Sequence, residues 1–279
     1  MELLKSLALQ PKKRSPLRLF LGKHYYRTKR RIEWMGDKKK YSQSFSKELL
    51  PHQAIQHRTS LYRKLKDVDM WYQENKVQNL SIAVKQLNKI VIKPGETFSY
   101  WKLIGNPNKY KGYVNGMVLF YGRFKPGIGG GLCQLSNLLY WITLHTPLTV
   151  VERHRHSYDV FPDSNRTQPF GSGATCEYNY LDLQISNNTN QTFQLHVYLT
   201  DSHLVGEWRT EHPLLSTYEV YEKDHRMTHE HWGGYVRHNT IFRRVYNRAG
   251  KQIDDEYITE NHALMMYEPL LEAHTVDNQ

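Results

Sequence analysis

Cysteine is nearly missing from this sequence: Cys133 and Cys176 are the two copies in 279 residues. So few cannot build a disulfide-dense scaffold, and a disulfide between the two is not expected in a reducing compartment. No Cys-x-x-Cys pair is present, so zinc-finger spacing is missing as well. No stretch approaches the roughly 20 consecutive apolar residues of a membrane-crossing helix. The opening MELLKSLALQPKKR carries its charges after a short apolar part, the reverse of a secretory signal. These absences point to a cytoplasmic protein, with the inner face of the membrane as a peripheral location. No cofactor or metal is expected, and nucleic acid is disfavoured because no reading motif accompanies the basic charge.

What is present is globular in character, with 39% hydrophobic and 13% aromatic residues. The net charge of +11 sits in one place. Residues 1–40 hold 13 Lys/Arg and 3 Asp/Glu, and the remainder is close to balance. The clusters are PKKR (11–14), RTKRR (27–31) and DKKK (37–40), with Leu17, Leu19, Phe20, Leu21, Tyr25 and Tyr26 interleaved. A basic arm with apolar residues suits an anionic membrane surface; a solvated leader is the alternative reading.

The patterning predicts helix near 17–34, a mixed and helical 49–66, and helix over 70–89. IVIKPGETFSYW reads as strand, turn at Pro94-Gly95 and strand, followed by a loop over 105–113 and a strand over 117–124. A helix follows Gly129–Gly131 as far as Pro147, then a strand over 149–161 and a turn-rich 162–174. Residues 176–189 and 191–201 read as a hairpin, HLVGEWRT as a strand, and a second hairpin turns at Ala249-Gly250. Helices first and strands after predict an α+β fold. Its mixed or antiparallel sheet packs on a few helices, one of them starting at the Gly-rich Cys133 turn. The expected organisation is a basic arm (1–48), a main α+β domain (49–205) and a β-rich extension packed on it (206–279).

The chemistry candidates centre on GIGGGLCQLSN. A thiol in the first turn of a helix faces unpaired N–H groups and the positive end of the helix dipole, which favours thiolate. Cys133 is therefore a candidate nucleophile, with Gln134 as an oxyanion donor. A small packed thiol is the plainer explanation. His154 and His156 are two apart and would share a face of a strand. Either could serve as base, with Asp159 or Asp182 as the orienting carboxylate. The same two histidines with Cys133 or Glu152 could instead hold zinc. The cluster His225, His229, His231 and His238 reads as loop or surface histidine, and Cys176 as a packed thiol.

Three stretches coincide in order and spacing: WYQENKVQNLSIAVKQLNKIVIKPGETFSYWKLIG (71–105), GGGLCQLSNLLYWITLHTPLTVVERHRHS (129–157) and YLDLQISNNT (180–189). Together they resemble the VanW family, over about residues 68–205. The resemblance implies a link to cell-wall peptidoglycan metabolism and glycopeptide (vancomycin) resistance, in a short form without a membrane anchor. It places the family's glycines on Gly129, Gly130 and Gly131, its Cys-Gln on Cys133 and Gln134, and its histidine on His156 rather than His154. The family's Asp-Ala-Thr falls on Gly173-Ala174-Thr175, so the aspartate is replaced and Asp182 is left to orient the histidine. Two classes of function follow. One is a Cys133–His156 hydrolase or acyl-transferase acting on peptidoglycan peptides. The other is a noncatalytic module that binds a peptidoglycan peptide or precursor through Gly129–Gly131, Ser136 and His154, or a membrane-associated accessory.

Overall fold

Apolar residues at helical spacing build helix α1 (Pro16–Gly36), α2 (Trp71–Leu87), the short α3 (Tyr100–Ile104) and α4 (Cys133–Leu144) in the computed structural model. The structure describes residues 14–36, 38–62, 69–120, 122–160, 168–231 and 233–267. Most of the PKKR cluster, the end of the 49–66 segment and much of the turn-rich 162–174 lie outside them.

The strands form four sheets. β1 (Lys40–Tyr41), β4 (Glu96–Ser99), β9 (Gln184–Ser186) and β7 (Thr149–Glu152) make the first, in that order. β2 (His52–Ser60), β11 (His203–Thr210), β10 (Phe193–Leu199) and β3 (Val91–Ile92) make the second. β12 (Ser216–His229), β13 (Tyr235–Asn247), β14 (Gln252–Met265) and β8 (Tyr158–Asp159) make the third, and β5 (Asn115–Phe120) pairs with β6 (Arg123–Ile128). Pairing is mostly antiparallel, with β1–β4 and β8–β14 parallel. The fold is α+β, as the patterning indicates.

The core lies where α2 and α4 meet the first two sheets. Leu80, Leu87, Leu138, Ile142, Leu195 and Trp208 are among its buried side chains. Trp208 donates its indole N–H to Thr143 at 3.1 Å, satisfying a polar group that burial would otherwise strand.

Four local readings of the sequence change. Residues 49–66 hold strand β2 instead of helix, because β11 supplies an antiparallel partner along its whole length. The single strand expected over 117–124 is instead a hairpin, in which β5 ends at Phe120 and β6 begins at Arg123, and Pro126 does not end it. Pro126 sits inside β6 opposite Met117, in a two-stranded ribbon where a missing N–H costs no ladder bond. β9 and β10 do not form a hairpin. The Asn187 side chain donates to Ile92 O and Gln191 O and carries the chain from one sheet to the next. Finally, the strand over 149–161 breaks at Glu152 and resumes at Tyr158. Arg153 is drawn to Gly171 O, Gly173 O and Asn261, while Arg155 reaches His262 O. The two arginines pull the segment out of the first sheet and deliver β8 to the third.

Candidate functional site

α4 begins at Cys133, directly after the three glycines. The turn is built by close packing. Gly129 and Gly131 hold φ near +75° and +90°, where a side chain is strained. A Cβ on Gly130 would lie 2.2 Å from the Gly116 carbonyl carbon and 2.6 Å from Met117 N. Asn79 of α2 fastens the turn, donating to Gly130 O at 2.9 Å. The Cβ directions of Gly129–Gly131 are thus occupied by protein neighbours, and their N–H groups are bound to Val114 O, Gly127 O and Met117 O.

Cys133 is half-buried and unbridged, and Cys176 is buried beside it. Burial pushes the Cys133 thiol above its ordinary value, although the backbone N–H groups of Cys176 and of Cys133 itself pull the other way. The helix-start effect expected to favour thiolate is outweighed by desolvation. Alkylation by iodoacetamide should therefore be slow at pH 7 and climb through pH 9. A plateau reached below pH 8 would contradict this protonated resting state.

The remaining candidates separate. Gln134 spends both amide N–H groups on Thr59 Oγ1 and Ser60 O, each at 2.9 Å, so it ties α4 to β2 and offers no oxyanion donor. Ser136 is fully buried and donates to Ala174 O at 2.7 Å, which holds the 174–176 strip against α4 and away from any substrate. Asp182 is buried too. It accepts from Ser99 Oγ at 2.5 Å, Trp101 N at 2.9 Å and Leu183 N at 3.0 Å, and no hydrogen bond joins it to a histidine among the described residues. Burial lifts its pKa to about 6 despite those donors. It is a fold carboxylate and not the orienting group expected.

The break in the strand also separates the two histidines. His154 turns to Glu152, its Nε2 3.0 Å from Oε1. Burial alone would raise Glu152, but the bonds from His154 and Arg30 prevail and hold it at about 2. Arg30 grips both Glu152 oxygens at 2.6 Å, and Asp182 N adds a third donor at 3.1 Å. His156 instead lines a cavity of about 90 Å³ with Leu119, Phe120 and Tyr158. Burial, helped by the charge of Arg153, lowers its pKa to about 4. No hydrogen bond joins it to Cys133 among the described residues. At Gly173, where the family pattern has aspartate, a Cβ would lie 2.6 Å from Asn137 Oδ1 and the carbonyl accepts from Arg153.

Two residues here were not singled out as acting together with the site. Glu177 is the acidic side chain whose charge reaches Cys133. Burial raises its own pKa while Lys23, Arg27 and Lys125 draw it down. Glu152 was read as a metal ligand at most, although its alternation with His154 was the signal for their pairing. Two buried polar groups on the same strip, Thr175 Oγ1 and the Asn179 amide, have no hydrogen-bond partner among the described residues. Among the described residues no three His, Cys, Asp or Glu side chains converge as metal ligands.

His156 and Asp182 make opposing contributions to stability on acidification. Between pH 6.5 and 4 the unfolded chain protonates His156 before the folded one does, so stability is lost. Between pH 6 and 3.8 the folded chain protonates Asp182 first, so stability is gained. His156→Gln should therefore gain stability from pH 6.5 to 4 and Asp182→Asn should lose it, each by about 3 kcal/mol relative to wild type. Urea denaturation at the two pH values checks the signs.

Comparison with known proteins now adds the lineage. Residues 75–209 match the family model described as VanW like protein. The chain is 35% identical over 233 residues to the vancomycin B-type resistance protein VanW of Enterococcus faecalis (strain ATCC 700802 / V583), covering 84% of each chain. It is 30% identical over 118 residues to the uncharacterized protein YoaR of Bacillus subtilis (strain 168), 42% of this chain and 37% of that one. No solved structure matches it. The Gly-turn thiol, the PGETFS strand and the ERHRH crossing thus stand in a chain that belongs to the VanW family.

Proposed function

We propose that this chain is a vancomycin-resistance-associated protein that acts on cell-wall peptides by acyl transfer through Cys133. The observation that carries the reading is local. Beside the half-buried Cys133, the 175–179 strip keeps two buried polar groups, Thr175 Oγ1 and the Asn179 amide, without a hydrogen-bond partner among the described residues. Such groups suit a peptide, whose amides would satisfy them.

In this reaction the Cys133 sulfur attacks a carbonyl carbon of the peptide. The thiol proton passes to the neutral imidazole of His156 and then to the amine that leaves as the C–N bond breaks. Water or a second amine then breaks the C–S bond of the thioester, and the thiol regains its proton. Water gives hydrolysis and an amine gives transfer. Because no hydrogen bond joins Cys133 to His156 among the described residues, the reaction requires bound substrate to bring them together.

The raised thiol pKa favours a second reading, a noncatalytic module that binds the same peptides. Incubation with a muropeptide bearing a D-amino-acid terminus separates the two. Release or exchange of a terminal residue supports acyl transfer. Saturable binding without turnover supports the module.

A further inference from the structure

Helix α1 is assembled inside out. Its inward face is polar: Arg27 Nε donates to Tyr178 O at 3.0 Å, Arg30 holds Glu152 and Tyr180 O, and Trp34 O accepts from Lys102 at 3.4 Å. No residue of the helix is buried. Apart from Trp34, which packs against the core, its large apolar residues are exposed. Leu17, Leu21, Tyr25, Ile32 and Met35 follow at spacings of four, four, seven and three, which is one stripe on a 3.6-residue helix. Leu17 is 67% exposed, Tyr25 64% and Met35 87%. A helix packed on a soluble core shows the opposite polarity.

We propose that α1 docks this protein on an anionic lipid surface, with the Leu17–Met35 stripe seated among the lipids and the flanking Arg18, Lys29 and Arg31 against the head groups. Charge selects this occupant. The helix carries six Lys/Arg against one Glu, and three further lysines follow at 38–40. A second copy on the same face would bring like charges together, whereas an anionic bilayer neutralises them. The docked orientation bears on the site. Tyr25 and Ile32 also wall a groove of about 950 Å³ whose far side holds Tyr41, Glu152 and His154. Docking sets the mouth of that groove at the lipid head groups, where an amphiphile with a polar head can reach it.

Sedimentation of the full chain with vesicles tests the docking. It should bind vesicles containing about one-third phosphatidylglycerol, and bind phosphatidylcholine alone about tenfold more weakly or worse. Leu21→Glu with Met35→Glu should reduce binding about tenfold or more, with an unchanged circular dichroism spectrum because both side chains are exposed. Arg18→Gln with Arg31→Gln should weaken it and flatten its salt dependence. Cys133→Ala should bind like wild type, so failure of the acyl-transfer reading leaves the docking standing. No binding to anionic vesicles overturns the proposal, as does equal binding by the double glutamate variant. A dimer that this variant dissolves would assign the stripe to a second copy instead.

Discussion

Cys133→Ala should lower kcat/KM on a cell-wall peptide about a thousandfold or more while leaving the fold intact. The size follows from covalent catalysis: the sulfur forms the bond that carries the acyl group, and the neighbouring thiol, Cys176, is buried and held protonated by that burial. The fold should tolerate the change because Cys133 is half-buried at the first position of α4, and no side-chain hydrogen bond ties it to the core among the described residues. His156→Gln should cost less, about a hundredfold, as expected for loss of a proton carrier. A KM unchanged in both variants, with kcat reduced, places the loss in the chemical step. Wild-type turnover by Cys133→Ala would remove the thiol from the mechanism.

Gly130→Ala should unfold the site, and much of the domain with it. The added methyl would meet backbone on three counts, at 2.2 Å from Gly116 C, 2.3 Å from Gly116 O and 2.6 Å from Met117 N. Backbone cannot rotate aside as a side-chain tip can, so the start of α4 must move. That movement breaks the bond from Asn79 and the one from Gly131 N to Met117 O. A loss of about 4 kcal/mol or more is expected, read as a fall in the urea midpoint or as insoluble expression. Gly95→Ala is the contrasting control. Gly95 has positive φ, near +77°, which Gly130 does not, but no atom lies within 4 Å of its added Cβ, so it should show backbone strain without the clash.

How far the sequence could be read depended on how local each cause was. The start of α4 at Cys133 was legible, because a glycine turn followed by helical apolar spacing is a local signal. α1 was legible as a helix for the same reason, but its orientation was not. Arg30 finds Glu152 across 122 positions, so no window of sequence shows which face turns inward. The alternating ERHRH looked like a continuous strand, and the residues that break it are the arginines between the histidines. Their partners Gly171, Gly173, Asn261 and His262 come from a later turn and from β14. Asp182 was a reasonable partner for a histidine by type and position. Its neighbours Ser99 and Trp101 claim it from another strand-to-helix junction, which again only the fold reveals. The hairpin assigned to β9 and β10 failed likewise, since strand partners are chosen across sheets rather than along the chain.

The central claim is that Cys133 carries an acyl group, and intact-protein mass spectrometry after mixing with the muropeptide tests it most directly. Acid quenching within the first turnovers should reveal an added mass equal to the peptide acyl group. Proteolysis should place it on the segment containing Cys133, hydroxylamine should remove it, and Cys133→Ala should never acquire it. Turnover with no adduct on Cys133, or an adduct that persists in Cys133→Ala, would contradict the account.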